Sequence, residues 1–303
     1  MRLWPKIFIT AAKGWSHDNA FKHSASVSFY TLFSMAPISV IAVGIAGFFL
    51  GKEEANQQFL AQVGQLVGQA SADTVRQAIE ASTSEEGNWI STVVGIVLLI
   101  VGATTVFGQL QESLNAIWSV RAKPSRSGWA VMLIQRLVSF AMVVTVGFLL
   151  LVSLIITTTL AAVTHRLSGE WAPILARVAD LGITLVVITL LFAVFFKVLP
   201  DVHLRWRDVW LSAALTAVLF TLGRMLIALY LARSTVASIY GAAGSLVALL
   251  IWVYYSCAIL FFGVEFTKAY REAHHLKVIP KKTAVIVREE IVEERPSTAA
   301  EAE

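Results

Sequence analysis

The chain has 303 residues, of which 57% are hydrophobic and only 15% charged, and its formal net charge is +4. Soluble domains contain roughly 45–50% apolar and about 25% charged residues, so this composition is typical of a protein built for lipid. It excludes a disordered chain and argues against a soluble enzyme. The single cysteine, Cys257, excludes an intrachain disulfide and any CxxC metal or redox site.

Six apolar runs are candidates for membrane-spanning helices. A helix needs about 20 apolar residues to cross the roughly 30 Å hydrocarbon core, and its backbone groups must pair internally because lipid offers no partners. The runs cover residues 29–50, 90–107, 137–163, 178–199, 209–231 and 242–264. The first is too long for the apolar part of a cleavable signal peptide and reads as an uncleaved anchor. We predict an all-α polytopic membrane protein with six transmembrane helices.

Lysine and arginine are distributed unevenly around these runs. Of the 24 basic residues, 18 lie in the two terminal segments and in the loops that follow the second and fourth runs, and five lie in the other loops. Positively charged loops stay in the cytoplasm, so we predict that both termini are inside. The basic excess is then a topology signal, and we expect no nucleic-acid partner. A basic inner face also suits a bilayer with anionic lipid head groups.

The segments outside the runs carry further predictions. Residues 51–89 show apolar residues at helical spacing, which predicts two amphipathic helices in the first outside loop with a break near residues 71–73. These helices either lie on the outer membrane surface or pack against the protein's own helices. Residues 108–120 continue the second helix along the inner surface, with Trp118 at interfacial depth. We assign residues 1–272 to the membrane domain and residues 273–303 to a solvated, disordered cytoplasmic tail.

The sequence shows no catalytic constellation. Its six histidines fall on different segments, and the patterns of metal hydrolases, of the serine-hydrolase GxSxG elbow and of the P-loop are missing from the sequence. We therefore expect no enzyme activity, no metal site and no cofactor.

Charges inside apolar runs are the better functional signal, because they are costly in hydrocarbon. Asp180 and Arg224 lie toward the outer ends of neighbouring antiparallel runs, and we predict an ion pair that faces the bundle interior. The pair either locks two helices or lines a polar cavity. Ser24, Ser28 and Thr31 share one helix face. They either bond back to their own backbone or form, with the two charges, an intramembrane polar pathway.

Proline and small residues predict bends and close contacts. Pro37 removes a hydrogen bond from the first membrane helix and should kink it. Gly47 and Gly51 match GxxxG, and Gly241 and Gly244 lie at the start of the sixth run. We interpret these glycines as sites of close helix contact.

Four segments together resemble the YihY/virulence factor BrkB family of bacterial inner-membrane proteins. They are HDNAFKHSASVSFYTLFSMAPISVI (17–41), FGQLQESLNAIW (107–118), FKVLPDVHLRWRDV (196–209) and SIYGAAGSLVALLIWVYYSCAILFFGVEFT (238–267). The resemblance extends to about residue 272. It implies a six-span protein with an envelope or virulence role, which in some members is lipid export. The family's older ribonuclease label finds no nuclease ligand set in this sequence.

Within the resemblance, matching positions include Asn115, Trp118, Pro200, Gly241 and Glu265. Membership raises Asn115 and Glu265 as candidates for contacts at the inner face. Glu265 lies at the inner end of the sixth run, where its carboxylate is expected to snorkel to water.

Three functions compete. The leading hypothesis is a transporter or lipid- and envelope-handling protein, based on the polar first helix, the two intramembrane charges and the basic inner face. The alternative is a structural or scaffolding protein that binds an envelope partner or a second copy of the chain. A membrane-bound ribonuclease is the weakest hypothesis, because the ligands for metal-assisted cleavage are missing from the sequence.

Overall fold

A computed structural model describes residues 3–67, 89–123, 172–233 and 244–287, most of 72–80 and short helical pieces between 137 and 156. The helices are α1 (Leu3–His17), α2 (Ala20–Leu50), α3 (Lys52–Val67), α4 (Trp89–Ile117), α5 (Ala172–Val198), α6 (Trp206–Arg233) and α7 (Gly244–Ala273). Two short strands, β1 (Val120–Ala122) and β2 (Ala284–Ile286), form one antiparallel pair.

The apolar runs form long helices. Within the described residues, three helical stretches are long and apolar enough to cross a membrane, namely Val178–Val198, Trp206–Ile227 and Leu246–Ala273. They correspond to the fourth, fifth and sixth predicted runs. The first and second runs lie in α2 and α4, and the third falls largely outside the described residues. The mainly helical, membrane-type fold is confirmed, whereas six spans and the inside location of both termini remain predictions.

Helix α2 is longer than its predicted run. It comprises 31 residues, or about 46 Å at 1.5 Å per residue, so it extends well beyond a hydrocarbon core. The helix begins after Asn19, whose backbone is left-handed with a φ of 54°. It stays helical through Pro37, so this proline does not end the first membrane helix.

Helix α1 was not predicted as an element, because it is short and amphipathic rather than continuously apolar. Its buried face packs on the last turns of α7, where Ile7 and Ala11 contact Phe266 and Ala269. Four large apolar side chains of α1 stay partly exposed, namely Leu3, Trp4, Phe8 and Ile9, although the rings of Trp4 and Phe8 also contact α7 at Tyr270 and Phe266. The N-terminal segment is therefore fixed to the bundle by its own helix.

Helix α7 lies at the centre of the described bundle and packs against α1, α2 and α6. Its contact with α6 is close at two glycines that have no room for a side chain. A Cβ on Gly263 would overlap Thr216 and the ring of Phe196, and one on Gly223 would overlap the phenol of Tyr255. Small residues permit this approach between membrane helices.

The segment predicted to be the first outside loop packs on the bundle. Leu60 of α3 forms a buried cluster with Val75 and Ile79, and Met35 and Val43 of α2 pack against it. Of the two alternatives for the amphipathic helices, the structure therefore shows packing against the protein's own helices. The predicted break lies at the edge of the described residues, since residues 68–71 fall outside them.

The predicted tail is wrong in its first part. Residues 276–287, which we call the C-terminal strap, fold back across the end of the bundle. In the strap, Ala284 pairs with Ala122 and Ile286 with Val120, and Pro280 bridges to Val202. Three-residue strands are too short to show apolar alternation, which explains the error. Residues 288–303 lie outside the described part of the chain.

Candidate functional site at the base of the helix bundle

The hydroxyl stripe on α2 is satisfied within its own helix. Ser24, Ser28 and Thr31 each donate a hydrogen bond to the carbonyl four residues earlier, at 2.7, 2.7 and 2.8 Å. The structure therefore shows back-bonding, the first of the two predicted alternatives. One turn further, the buried hydroxyl of Ser34 has no hydrogen-bond partner among the described residues.

The predicted pair of Asp180 and Arg224 is not formed. Both residues are described, and no ion pair joins them in that part of the structure. Asp180 is exposed, as are Val178 and Leu181 beside it, whereas Arg224 is half-buried. This end of α5 therefore turns Asp180 outward, so the prediction that the pair faces the bundle interior is wrong. The prediction compared heights along two helices and left out the direction in which each side chain points.

The GxxxG match has a different explanation. Gly51 ends α2 with a φ of 88°, a conformation that glycine adopts without strain. Its N–H donates to the carbonyl of Gly47 at 3.0 Å, and a Cβ on Gly47 would lie 3.3 Å from the Cα of Lys52. These two glycines form the turn from α2 into α3. Gly244 is the first residue of α7, and Gly241 lies outside the described residues.

Charged and polar side chains gather instead at one end of the bundle. We call this end the base. It contains the α1–α2 corner at residues 18–19, the segment 118–123 after α4, the α5–α6 loop at residues 199–205 and the C-terminal strap. Our topology prediction places the base on the cytoplasmic side.

At the base, Asn115 ties α4 to the α5–α6 loop. The Asn115 Nδ2 donates to a carboxylate oxygen of Asp201 at 2.9 Å. In return, the Asp201 N–H donates to the Asn115 Oδ1 at 2.7 Å. Asp201 follows the buried Pro200, and its carbonyl accepts the N–H of Lys281 from the strap at 2.8 Å. Asn115 therefore has a specific contact at the base, and the assignment of this contact to the inner face stays a prediction. Trp118 is only 3% exposed, so its ring packs inside the protein, and its depth in the membrane stays a prediction.

A second connection joins α6 to the end of α7. Asp208 and Arg271 form an ion pair that is almost fully buried. The guanidinium also donates to the carbonyl of Lys277 in the strap at 2.8 Å. A buried pair of this kind holds three elements in one arrangement, because either charge alone would be costly there.

The third cluster contains two carboxyl groups and one ammonium. Lys268 of α7 donates to Asp18 at 2.6 Å and to the carbonyl of Ile117 at 2.9 Å. The Glu265 carboxylate lies 4.0 Å from the same ammonium. Glu265 is buried rather than snorkelling to water, which corrects the prediction, because α1 covers it. Gly14 of α1 lies so close that a Cβ there would overlap the Glu265 carboxyl.

The carboxyl groups of Asp18 and Glu265 differ in the hydrogen bonds that they receive. Burial alone would raise the pKa of Asp18, but hydrogen bonds from His17 and Lys268 outweigh this effect and hold the pKa below its usual range. One Glu265 oxygen, Oε1, is buried with no hydrogen-bond partner among the described residues. Nearby, burial lowers the pKa of His23, with a smaller contribution from Lys22.

Sequence reasoning missed most of this base. Asp18, Asp201, Asp208 and Arg271 lie in loops or at helix ends, where charges are ordinarily solvated. The partners are 86, 63 and 250 residues apart in the three clusters, so no local spacing links them. The available signal was that several of these charges lie inside the family-like segments. Among the described residues, no group of three or more His, Cys, Asp or Glu could hold a metal ion.

Comparison with known proteins identifies a family. The profile of the family described as Virulence factor BrkB matches residues 11–285. Similar curated proteins include a UPF0761 membrane protein of Alkalilimnicola ehrlichii, 27% identical over 87% of this chain and 58% of the relative. Another UPF0761 membrane protein, from Vibrio campbellii, is 26% identical over 87% of this chain and 81% of the relative. The UPF0761 membrane protein YihY of Shigella boydii serotype 4 is 29% identical over 69% of this chain and 68% of the relative.

The match is incomplete for some relatives. The chain spans 58% and 57% of the length of the relatives from Alkalilimnicola ehrlichii and Chromobacterium violaceum. No solved structure matches the chain.

Proposed function

The chain belongs to the virulence factor BrkB family of membrane proteins, and we propose that it is a transporter that moves a lipid or another envelope component across the membrane. It is a multi-pass membrane protein, as its helices and its relatives' names indicate. The observation that carries the proposal is the buried carboxyl of Glu265 at the base. Ionisable groups buried inside a membrane protein are expensive, and proteins that keep them commonly use them to bind or move a substrate or an ion.

The surroundings of Glu265 support this assignment. The group lies where α1, the α1–α2 corner, the end of α4 and α7 meet, so a change at this carboxyl acts on several helices at once. A transporter needs such a junction, because its helices must change their arrangement around a bound substrate.

Helix α1 supports a lipid-facing role. Trp4, Phe8 and Ile9 of this helix are about half exposed although Trp4 and Phe8 also contact α7, and the same helix exposes Lys6 and Lys13. An amphipathic helix with aromatic and basic residues lies in the plane of a membrane interface and attracts anionic head groups. We propose that α1 rests on the inner leaflet and that anionic lipid is a partner of the protein.

Reconstitution tests the transport proposal. The full chain would be placed in liposomes with a panel of fluorescently labelled phospholipids and small solutes, and transfer compared with empty liposomes. We expect at least one probe to move faster with the protein. If no member of a broad panel moves above the background, and the protein is folded by circular dichroism, the proposal is wrong.

A scaffold would give a different result. Removing residues 288–303, which lie beyond the strap, would then abolish capture of an envelope partner and leave liposome transfer at background. Transport by the truncated chain at the full-length rate favours the transporter.

A further inference from the structure

Glu265 has a buried environment with an unbalanced charge. Its side chain is 3% exposed, and Lys268, the one cation within 4.0 Å of it in the described part of the chain, already donates to Asp18 and to the carbonyl of Ile117. Two ionised carboxylates around one ammonium would leave a net negative charge in a poorly solvated place. A buried carboxylate without its own counter-ion neutralises itself by binding a proton.

The charged groups around Glu265 leave Lys268 as its cation. The other groups that act on this cluster from the packed elements are His17 and Asp18 at the α1–α2 corner, Lys22 and His23 of α2, Glu112 of α4 and Glu272 of α7. On α6, Asp208 is paired with Arg271. Of these groups, Asp18 and Glu272 act on Glu265 and both are acidic, so neither supplies a counter-ion for its carboxylate.

A graded path connects this carboxyl to water. The ring of His17 is 87% exposed and lies 2.8 Å from an oxygen of Asp18, whose side chain is 17% exposed. Asp18 shares the Lys268 ammonium with Glu265, which lies 4.0 Å from that ammonium and is 3% exposed. Exposure therefore falls step by step from an imidazole in water, through a carboxylate, to a buried acid, and each group can accept and release a proton.

We propose that Glu265 is the proton-binding site of this protein and that a proton is the coupling ion of the transport proposed above, on which this second statement rests. A proton from water binds to the His17 imidazole. It passes to the Asp18 carboxylate as the N–H bond breaks and an O–H bond forms. It then passes to the Glu265 carboxylate, which becomes a neutral acid, while Asp18 is ionised again. No electrons are exchanged, and release follows the same steps in reverse.

Proton binding would change the helix contacts. When Glu265 is neutral, Lys268 stays on Asp18 and on the end of α4, as the structure shows. When Glu265 is ionised, it attracts the same ammonium from 4.0 Å away. The competition would loosen the α1–α2 corner and the end of α4 together, which couples the proton to the arrangement of the base.

Infrared spectroscopy tests proton binding without any transport substrate. The full chain in lipid nanodiscs would be titrated over a range of pH, and the carbonyl stretch of protonated carboxylic acids recorded in H2O and D2O. We expect a deuterium-sensitive band near neutral pH that is lost in Glu265→Gln. The matched control is Glu53→Gln, which removes an exposed glutamate at the start of α3, and it should keep the band.

The outcomes separate the two proposals. A band that is present in the wild type and in E53Q but missing in E265Q supports the proton site, even if no probe is transported. The same spectrum in the wild type and in E265Q overturns the proton site, even if a probe is transported. His17→Ala should keep the band and slow its appearance after a pH jump, and an unchanged rate would overturn the entry path.

Discussion

Replacing Asp208 with asparagine should destabilise the protein strongly. The side chains of Asp208 and Arg271 are 10% and 6% exposed, so water screens their attraction little. Without the carboxylate, the guanidinium keeps its bond to the carbonyl of Lys277, while its Nε already lacks a partner among the described residues. Removing one partner of a buried ion pair costs about 3–5 kcal/mol. At about 2–4 °C per kcal/mol for a protein of this size, the melting temperature should fall by roughly 6–20 °C.

The assay is a double-mutant cycle on thermal unfolding of the purified protein in detergent. It compares the wild type with Asp208→Asn, Arg271→Met and the double variant. The single variants should each lose stability, and the double variant should lose less than their sum by about 2 kcal/mol or more, because it leaves no unpaired charge. Asp180→Asn is the matched control, since Asp180 is exposed. Additive losses, or a D208N variant as stable as D180N, would refute the argument from the buried pair.

Three further predictions concern packing and the strap. Gly263→Ala should cost roughly 1–3 kcal/mol, measured by thermal unfolding, because a Cβ has no room there. Gly182→Ala, with nothing within 4 Å, should not lower the melting temperature, because alanine is the better helix former. An equal loss in both variants would contradict the close α6–α7 contact. Asn115→Ala removes two hydrogen bonds to Asp201 and should cost about 1.5–3 kcal/mol in thermal unfolding. A loss below about 0.5 kcal/mol, as for an ordinary surface substitution, would show that the contact contributes little to stability. Removing residues 276–303 should lower the melting temperature, while removing 288–303 should not. Equal melting temperatures for the two truncated proteins would show that the strap contributes nothing to stability.

The membrane class of the protein could be predicted from sequence because it depends on continuous apolar runs. A helix in lipid satisfies its backbone locally, so length and apolarity are enough to find one. The same reasoning failed for α1, whose 15 residues bury only Ile7 and Ala11. It also failed for the C-terminal strap, where three-residue strands depend on partners far away in the chain.

The candidate site could be predicted only in part. Asn115 and Glu265 were singled out by family resemblance, and both have specific environments at the base. Asp201, which binds Asn115, and Asp18, which shares Lys268 with Glu265, were missed. Pairing at a bundle end depends on which loops meet there. The Asp180–Arg224 prediction failed for a related reason, since height along a helix says nothing of the direction in which a side chain points.

Two sequence patterns were ambiguous because different structures use the same residues. Gly47 and Gly51 fit both a helix contact and a helix stop, and the positive φ of Gly51 decides for the stop. Ser24 and Ser28 fit both a polar pathway and back-bonding. Their short bonds to backbone carbonyls show that a serine stripe in a membrane helix can be satisfied without lining a pathway.

The most direct test of the account is transport by wild-type and Glu265→Gln protein in the same liposomes under an imposed pH gradient. We predict that a labelled lipid or solute moved by the wild type responds to the gradient. Glu265→Gln should abolish that response, while Glu53→Gln should keep it. Transport by Glu265→Gln at the wild-type rate, with the same response to the gradient, would contradict a functional role for the buried carboxyl.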